Sequence, residues 1–177
     1  MGRQVLGLHR GTVTLQSYTS DWVGVFEYEA RQLRKELGSR VLDIEHIGST
    51  SIPGMAAKPI LDMMVGIQSM VQTTSVLSQL VHMGYQRRIN GDLVDRVFLV
   101  KGPESLRTHH LSITYLGSLF WSEHIQFRDF LREDDALAGE YLDLKRRLAK
   151  KFSADRNSYT AGKEQFVRNI LSNYSTC

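Results

Sequence analysis

Between residues 41 and 66 the chain reads VLDIEHIGSTSIPGMAAKPILDMMVG: two apolar runs joined by a polar loop, with a carboxylate set inside the second run. The first run carries Ile44 and Ile47 into Gly48-Ser49, the way a buried strand ends in a tight turn whose unpaired backbone N–H groups can meet a phosphate. Asp62 falls within the apolar run 59–67. If that run is a central strand, an anion sits where burial without a partner costs on the order of several kcal/mol. A metal ion or a cationic side chain is therefore expected beside it.

The rest of the pattern surrounds these two strands, 41–47 and 59–66, with an αβ order. Residues 5–15 read as an edge strand or extended arm. A helix is expected over 21–37, capped by Ser20 and stopped by Gly38, because Trp22, Phe26, Leu33 and Leu37 fall on one face. A second helix, about 68–83, closes at Gly84. Asn90-Gly91 signals a two-residue hairpin between runs 85–89 and 93–101, and a fifth strand follows at 109–115. From Leu116 onward the period turns helical, through Phe120, His124, Phe127 and Leu131, then Leu137, Tyr141, Leu144 and Leu148, then Phe166, Ile170 and Leu171. Trp121 and Phe127 read as core on this spacing. The expected fold is α/β (α+β), a mixed sheet flanked by helices with a C-terminal helical segment, in one domain over 1–177.

The longest apolar stretches fall far short of a bilayer span of roughly 20 residues, and the N-terminus has no apolar leader, so a cytoplasmic protein with no membrane partner is expected. The only cysteine is Cys177, which leaves no internal disulfide and no thiolate cluster within one chain. A net charge of +3 suits an anionic ligand without demanding nucleic acid. The densest basic cluster, Lys145-Arg146-Arg147 with Lys150-Lys151, lies beside Glu140 and Asp143 and reads as a solvated helix face.

A Gly-Ser turn followed at this distance by an aspartate in an apolar strand resembles the signature of the nucleotidyltransferase superfamily. The resemblance implies that the turn holds a nucleotide triphosphate and that strand carboxylates hold magnesium or manganese. The second acid usual two residues on is here Met64, and one carboxylate alone cannot make a two-metal clamp. Within that superfamily the wording is similar to the GrpB family. The matching segments are Glu45-His46-Ile47-Gly48-Ser49-Thr50-Ser51-Ile52-Pro53-Gly54, Ala57-Lys58-Pro59-Ile60-Leu61-Asp62, Val100-Lys101-Gly102-Pro103 and Arg107-Thr108-His109-His110-Leu111. Leu15, Tyr18, Asp21-Trp22 and Phe26 resemble its opening; Phe127-Arg128-Asp129, Glu140-Tyr141, Leu144-Lys145, Tyr159, Lys163 and Phe166 resemble its helical tail. The family also occurs fused to dephospho-coenzyme A kinase, which by association implies a protein partner in coenzyme A metabolism.

Gly48, Ser49, Thr50, Ser51, Lys58, Arg96, Lys101 and Arg107 are the candidate contacts to a nucleotide or another phosphorylated small molecule. Asp62 and His110 are the candidate catalytic residues, with Asp62 also the candidate ligand to Mg or Mn; Glu45, His46, His109 and Ser112 are secondary candidates. Each has a plainer reading. Gly48-Ser49 can be only a turn, Thr50 and Ser51 can cap a short helix, and Asp62 can form an ion pair with a buried arginine such as Arg96. The loop is not a P-loop, since Gly54 is followed by Met-Ala-Ala-Lys. Alternation places Arg96, Phe98 and Val100 on one strand face and His110, Ser112 and Thr114 on one face of the next. Family members often carry histidine where Ser112 stands, and a lone imidazole with a hydroxyl binds metal weakly. Three functions follow: a metal-dependent nucleotidyltransferase, a binding module on the same fold, or a protein that assists a partner.

Overall fold

The computed structural model describes residues 5–174, so Cys177 lies outside the described residues. These residues form strands β1 (Leu8–His9), β2 (Asp43–Ile47), β3 (Leu61–Ile67), β4 (Tyr85–Arg87), β5 (Arg96–Lys101), β6 (Leu106–Arg107) and β7 (His109–Tyr115). The helices are α1 (Asp21–Leu37), α2 (Thr73–His82), α3 (Leu119–Glu133), α4 (Asp135–Lys151) and α5 (Arg156–Tyr174). Five strands make a mixed sheet in the order β2-β3-β7-β5-β4, and β1 pairs with β6 apart from it. Only β3 and β7 run parallel. None of the helices is long and apolar enough to cross a membrane.

Strand alternation decides what each face of the sheet carries. Odd positions of β3 (Leu61, Met63, Val65, Ile67) and β7 (Leu111, Ile113) join Leu33 and Leu37 of α1 and Val76 and Leu80 of α2 in the main core. Each such side chain contributes about 2 kcal/mol by leaving water. Even positions face the other way. Reading across the register, Ile47, Asp62, His110 and Val100 form one row, and Glu45, Met64, Ser112 and Phe98 the next. Met64 there packs with Ile47 and Phe120 of α3. Gly66 continues the row because a Cβ would stand 2.6 Å from Leu116 and 3.0 Å from Trp121, which confirms Trp121 as a packing residue.

Several elements depart from the expected boundaries for identifiable reasons. β3 begins at Leu61 rather than 59, because Pro59 has no N–H to offer a ladder and the Ile60 amide turns back to the Lys58 carbonyl at 2.7 Å. Ser20 does not cap α1; its backbone is already helical, and the Asp21 amide instead donates to Thr19 Oγ1. Gly38 does stop the helix, at φ +59° with its N–H returned to the Arg34 carbonyl. The β4–β5 hairpin forms, but not on a two-residue turn. Arg87 pairs with Leu99, and residues 88–95 make a longer excursion in which Asp92 accepts from the Phe98 amide and pairs with Arg87. Neither Asn90 nor Gly91 adopts the positive φ a type I′ turn requires. Gly91 is needed for space instead, since a Cβ would meet the Phe98 ring at 2.6 Å.

The three C-terminal helices appear as expected and pack with the connector after β2. Ser118 caps α3 through the Trp121 amide, and Asp134 caps α4 through the Leu137 amide. Leu131, Tyr141 and Ile170 from the three helices meet Ile52 and Met55 in a second core. The even face of the sheet and this helical bundle thus face each other, and a space remains between them.

Candidate functional site

That space is a cavity of about 410 Å³, within the range of roughly 300–1,000 Å³ usual for small-molecule sites. Its sheet wall is Ile47, Asp62, His110, Ser112, Phe98 and Arg96, joined by the turn Gly48–Thr50 and by Lys58. Its helical wall carries Phe120, Glu123, His124 and Phe127 of α3, Tyr141 and Lys145 of α4, and Tyr159, Thr160 and Lys163 of α5.

The turn is built around the carboxylate. Gly48 has φ +67°, and a Cβ on it would lie 2.6 Å from Asp62 Oδ2, so both backbone conformation and space require glycine. Residues Ser49–Ser51 then form one 3-10 turn, stabilised by Ser51 Oγ donating to the Gly48 carbonyl at 2.6 Å. The leading amides, Ser49 and Thr50, have no partner inside such a turn. Thr50 and Ser51 are buried, and Thr50 Oγ1 is 2.9 Å from His46 Nε2. Two arginines of α3 hold the turn from behind. Arg132 donates through Nε and Nη2 to the Ser51 carbonyl at 3.1 and 2.8 Å, and Arg128 donates to the His46 carbonyl and to Glu45.

Asp62 has the cationic neighbourhood its position demanded, but not the arginine. Its Oδ1 is 2.9 Å from His110 Nδ1. Burial raises the carboxyl's pKa; the His110 hydrogen bond and charge, with Lys58 and Lys163 beyond, outweigh it and leave the group below its ordinary value. An ionised carboxylate only accepts, so Nδ1 carries the proton. The carboxylate keeps 37% of its side-chain surface open, and it lines the cavity. Arg96 instead donates to the Gly91 carbonyl and lies over the Phe98 and Phe120 rings.

The helical wall is basic. Lys145 is 1% exposed and donates to the Ala56 carbonyl at 2.5 Å, with Tyr141 under its ammonium. Lys58 and Lys163 both stand over the Tyr159 ring, at 5.2 and 4.8 Å from its centroid. Among the described residues none of the three forms an ion pair. Burial and mutual repulsion bring Lys145 down to about 7 and Lys58 to about 8, and burial lowers Lys163 too. Burial also raises the Tyr141 hydroxyl's pKa, against the influence of the Ser49 side chain.

Of the sequence candidates, Gly48, Ser49, Thr50, Lys58, Asp62, Arg96, His110 and Ser112 line one cavity. The others lie apart from it. Lys101 donates to buried Glu29 at 2.6 Å, which also accepts from Tyr85, and His109 stands edge-on to Tyr85 on that same opposite face. Arg107 donates to the Gly102 carbonyl at the sheet's end. Glu45 and His46 lie behind the turn, where His46 stacks on Phe26 at 4.7 Å and burial brings it down to about 4. Ser51 shares that side, bordering a smaller hollow with Arg128 and Arg132. The solvated-face reading holds for the exposed Arg146, Arg147 and Lys150 but fails for Lys145. The spacing had a signal for this. Lys145 lies four residues after Tyr141, and Lys163 four after Tyr159, so each lysine occupies a position of an apolar stripe.

The donor set does not suit a resident magnesium or manganese ion. Among the described residues no group of three His, Cys, Asp or Glu side chains is placed to hold a metal. The position two after Asp62 is a fully buried methionine, and Asp62 already engages His110.

Comparison with known proteins agrees with this architecture. The model of the GrpB protein family matches residues 12–173. The chain belongs to the GrpB family. It is 36% identical over 173 residues to the glutamate-rich protein GrpB of Alkalihalophilus pseudofirmus, covering 94% of this chain and 98% of that one. The crystal structure of conserved protein GrpB from Enterococcus faecalis superimposes with a TM-score of 0.82 at 34% identity, over 90% of this chain and 96% of that chain. The Cid1 poly(U) polymerase bound to Mg and 3′-dATP shares the fold alone, with a TM-score of 0.57 at 14% identity, over 82% of this chain and 49% of Cid1. The GrpB architecture seen here is therefore nucleotidyltransferase-like.

Proposed function

We propose that this GrpB protein binds a nucleotide or another phosphorylated small molecule in the cavity between the sheet and the C-terminal helices. One observation carries the reading: three lysines, Lys58, Lys145 and Lys163, line a cavity in which none of them forms an ion pair among the described residues, while of its two lining carboxylates, Asp62 and Glu123, Asp62 is held by His110. Lys145 is buried and Lys58 and Lys163 are half-buried; cations drawn out of water with only Asp62 to offset them are costly, and an anionic ligand supplies further negative charge. The cavity's apolar remainder, Phe98, Phe120 and Phe127, accommodates the organic part of such a ligand.

Nucleotidyl transfer is the chemistry that the fold likeness suggests. In it His110, held by Asp62 with its Nε2 unspent, would accept the acceptor hydroxyl's proton, and the lysines would neutralise the phosphates. Magnesium or manganese would bring this chemistry phosphate polarisation, with Asp62 and Glu123 the carboxylates that line the cavity; the donor set described above does not build a resident site for the ion.

The test is a thermal-shift panel of nucleoside triphosphates, pyrophosphate, coenzyme A and dephospho-coenzyme A on the wild type and Lys163→Met. A ligand that binds only the folded state raises the melting temperature by mass action, and the variant loses that rise. No shift with any phosphorylated compound sinks the reading.

A further inference from the structure

We propose that the lysines take the place of a divalent metal at this site, so that the ligand is bound as a metal-free phosphate anion and magnesium competes with the protein for it. The proposal rests on the phosphate-binding reading and names the ionic form of the ligand.

The cavity is divided by charge. Asp62 faces it from β3, held to His110, and Lys58 enters from the connector before that strand. Lys145 and Lys163 enter from α4 and α5 on the opposite wall. A metal-chelated polyphosphate carries part of its charge neutralised, and its metal is usually held by one or two protein carboxylates with water filling the rest of the shell. This site offers Asp62 on its sheet wall and Glu123 on its helical wall, two carboxylates from opposite sides, and presents three lysines to the same volume. The lysines suit bare phosphate oxygens, which accept charge-assisted hydrogen bonds from each of them. A metal ion already on the phosphates would be repelled by the same lysines, and it would occupy the oxygens they need.

The positions of the lysines support a ligand role over a purely structural one. Lys58 and Lys163 approach one tyrosine ring from separate parts of the chain, and Lys145 uses one of its three N–H donors on the Ala56 carbonyl. The repulsion that Lys58 and Lys145 feel from Lys163 is a cost opposed by Asp62 alone among the acids acting on them. A bound polyanion removes it.

The test is titration calorimetry of the full chain with ATP and with pyrophosphate, each in EDTA and in excess magnesium, on the wild type, Asp62→Asn and Lys163→Met, with circular dichroism to confirm folding. Binding is expected in EDTA and weakened about tenfold or more by saturating magnesium. Asp62→Asn is expected to bind as well as the wild type or up to about tenfold more tightly, because a negative charge facing the anion is removed. Lys163→Met is expected to lose about tenfold or more. Binding that requires magnesium and vanishes in Asp62→Asn overturns the proposal while leaving the phosphate reading intact. No binding of either probe under either condition overturns both.

Discussion

A side chain on Gly48 would collide with Asp62. The missing Cβ would lie 2.6 Å from Oδ2, so the turn and the carboxylate are built as one unit. Gly48→Ala should therefore cost more than the strain of its positive φ alone, which is on the order of 1–3 kcal/mol. Gly54 is the control, with φ +75° and nothing within 4 Å of where a Cβ would stand. In urea unfolding, Gly54→Ala is expected to lose about 1 kcal/mol and Gly48→Ala about 2–4 kcal/mol. Equal losses would mean that Asp62 moves aside freely.

The turn's far side should be as sensitive as its cavity side. Arg132 gives two hydrogen bonds to the Ser51 carbonyl, and loss of a charged donor to a buried acceptor costs about 1.5–3 kcal/mol. Arg132→Met is expected to destabilise by that amount and, on the proposed reading, to weaken binding of a phosphorylated ligand in a cavity that Arg132 does not line. Arg132→Lys, which cannot fork to one oxygen in the same way, should recover only part. A Met variant with unchanged unfolding midpoint would show that the turn holds itself.

Lys145 makes stability depend on pH in an unusual direction. Its folded pKa, about 7, lies below the ordinary lysine value of 10.5, because of burial and then of Lys163 and Lys58, with Asp62 opposing. Between these values the unfolded chain binds more protons, so stability rises with pH from about 7 towards 10.5 and the penalty is complete below 7. Lys58, at about 8, adds to the same slope. Urea midpoints measured from pH 6 to 10 should climb in the wild type and climb less in Lys145→Met. Parallel curves would refute the buried, repelled ammonium.

Asp62 acts at the acid end with the opposite sign. Its folded pKa is depressed below 3.8, so the stability it contributes is present above the ordinary carboxyl range and is lost as pH falls through the folded value. Asp62→Asn should flatten the acid limb of the unfolding profile below about pH 4. His110→Gln should weaken that limb too, since the Nδ1 proton is what favours the carboxylate. An acid limb identical in all three proteins would place the depression elsewhere.

The sheet wall of this site was legible in the sequence because strand alternation is strict. Once 59–66 and 109–115 are strands, Asp62 has a fixed face, and His110 and Ser112 must share one. The same rule places Arg96 with Phe98 and sends His109 to the side opposite His110. What could not be read was which of several cations meets Asp62. That choice depends on register between positions 48 residues apart, which pairs Asp62 with His110 and leaves Arg96 two rows away. The helical wall was hidden differently. Lys145 stands in a run of basic residues and resembles its exposed neighbours; only the partner surface of α4 tells a buried lysine from a solvated one. The hairpin misled because Asn-Gly fits a two-residue turn, whereas the Asp92 contacts to Arg87 and the Phe98 amide hold a longer one.

Helices α4 and α5 bring Lys145 and Lys163 to a cavity whose floor is already complete earlier on the chain, at β7. The sheet face that carries Asp62 and His110 is the wall of an enclosed chamber only with α4 and α5 docked against it. Each docking lysine meets the others' charge as it arrives. On the proposed reading, an anion resting on the Gly48 turn would reverse that resistance and favour the docked position of the final helix.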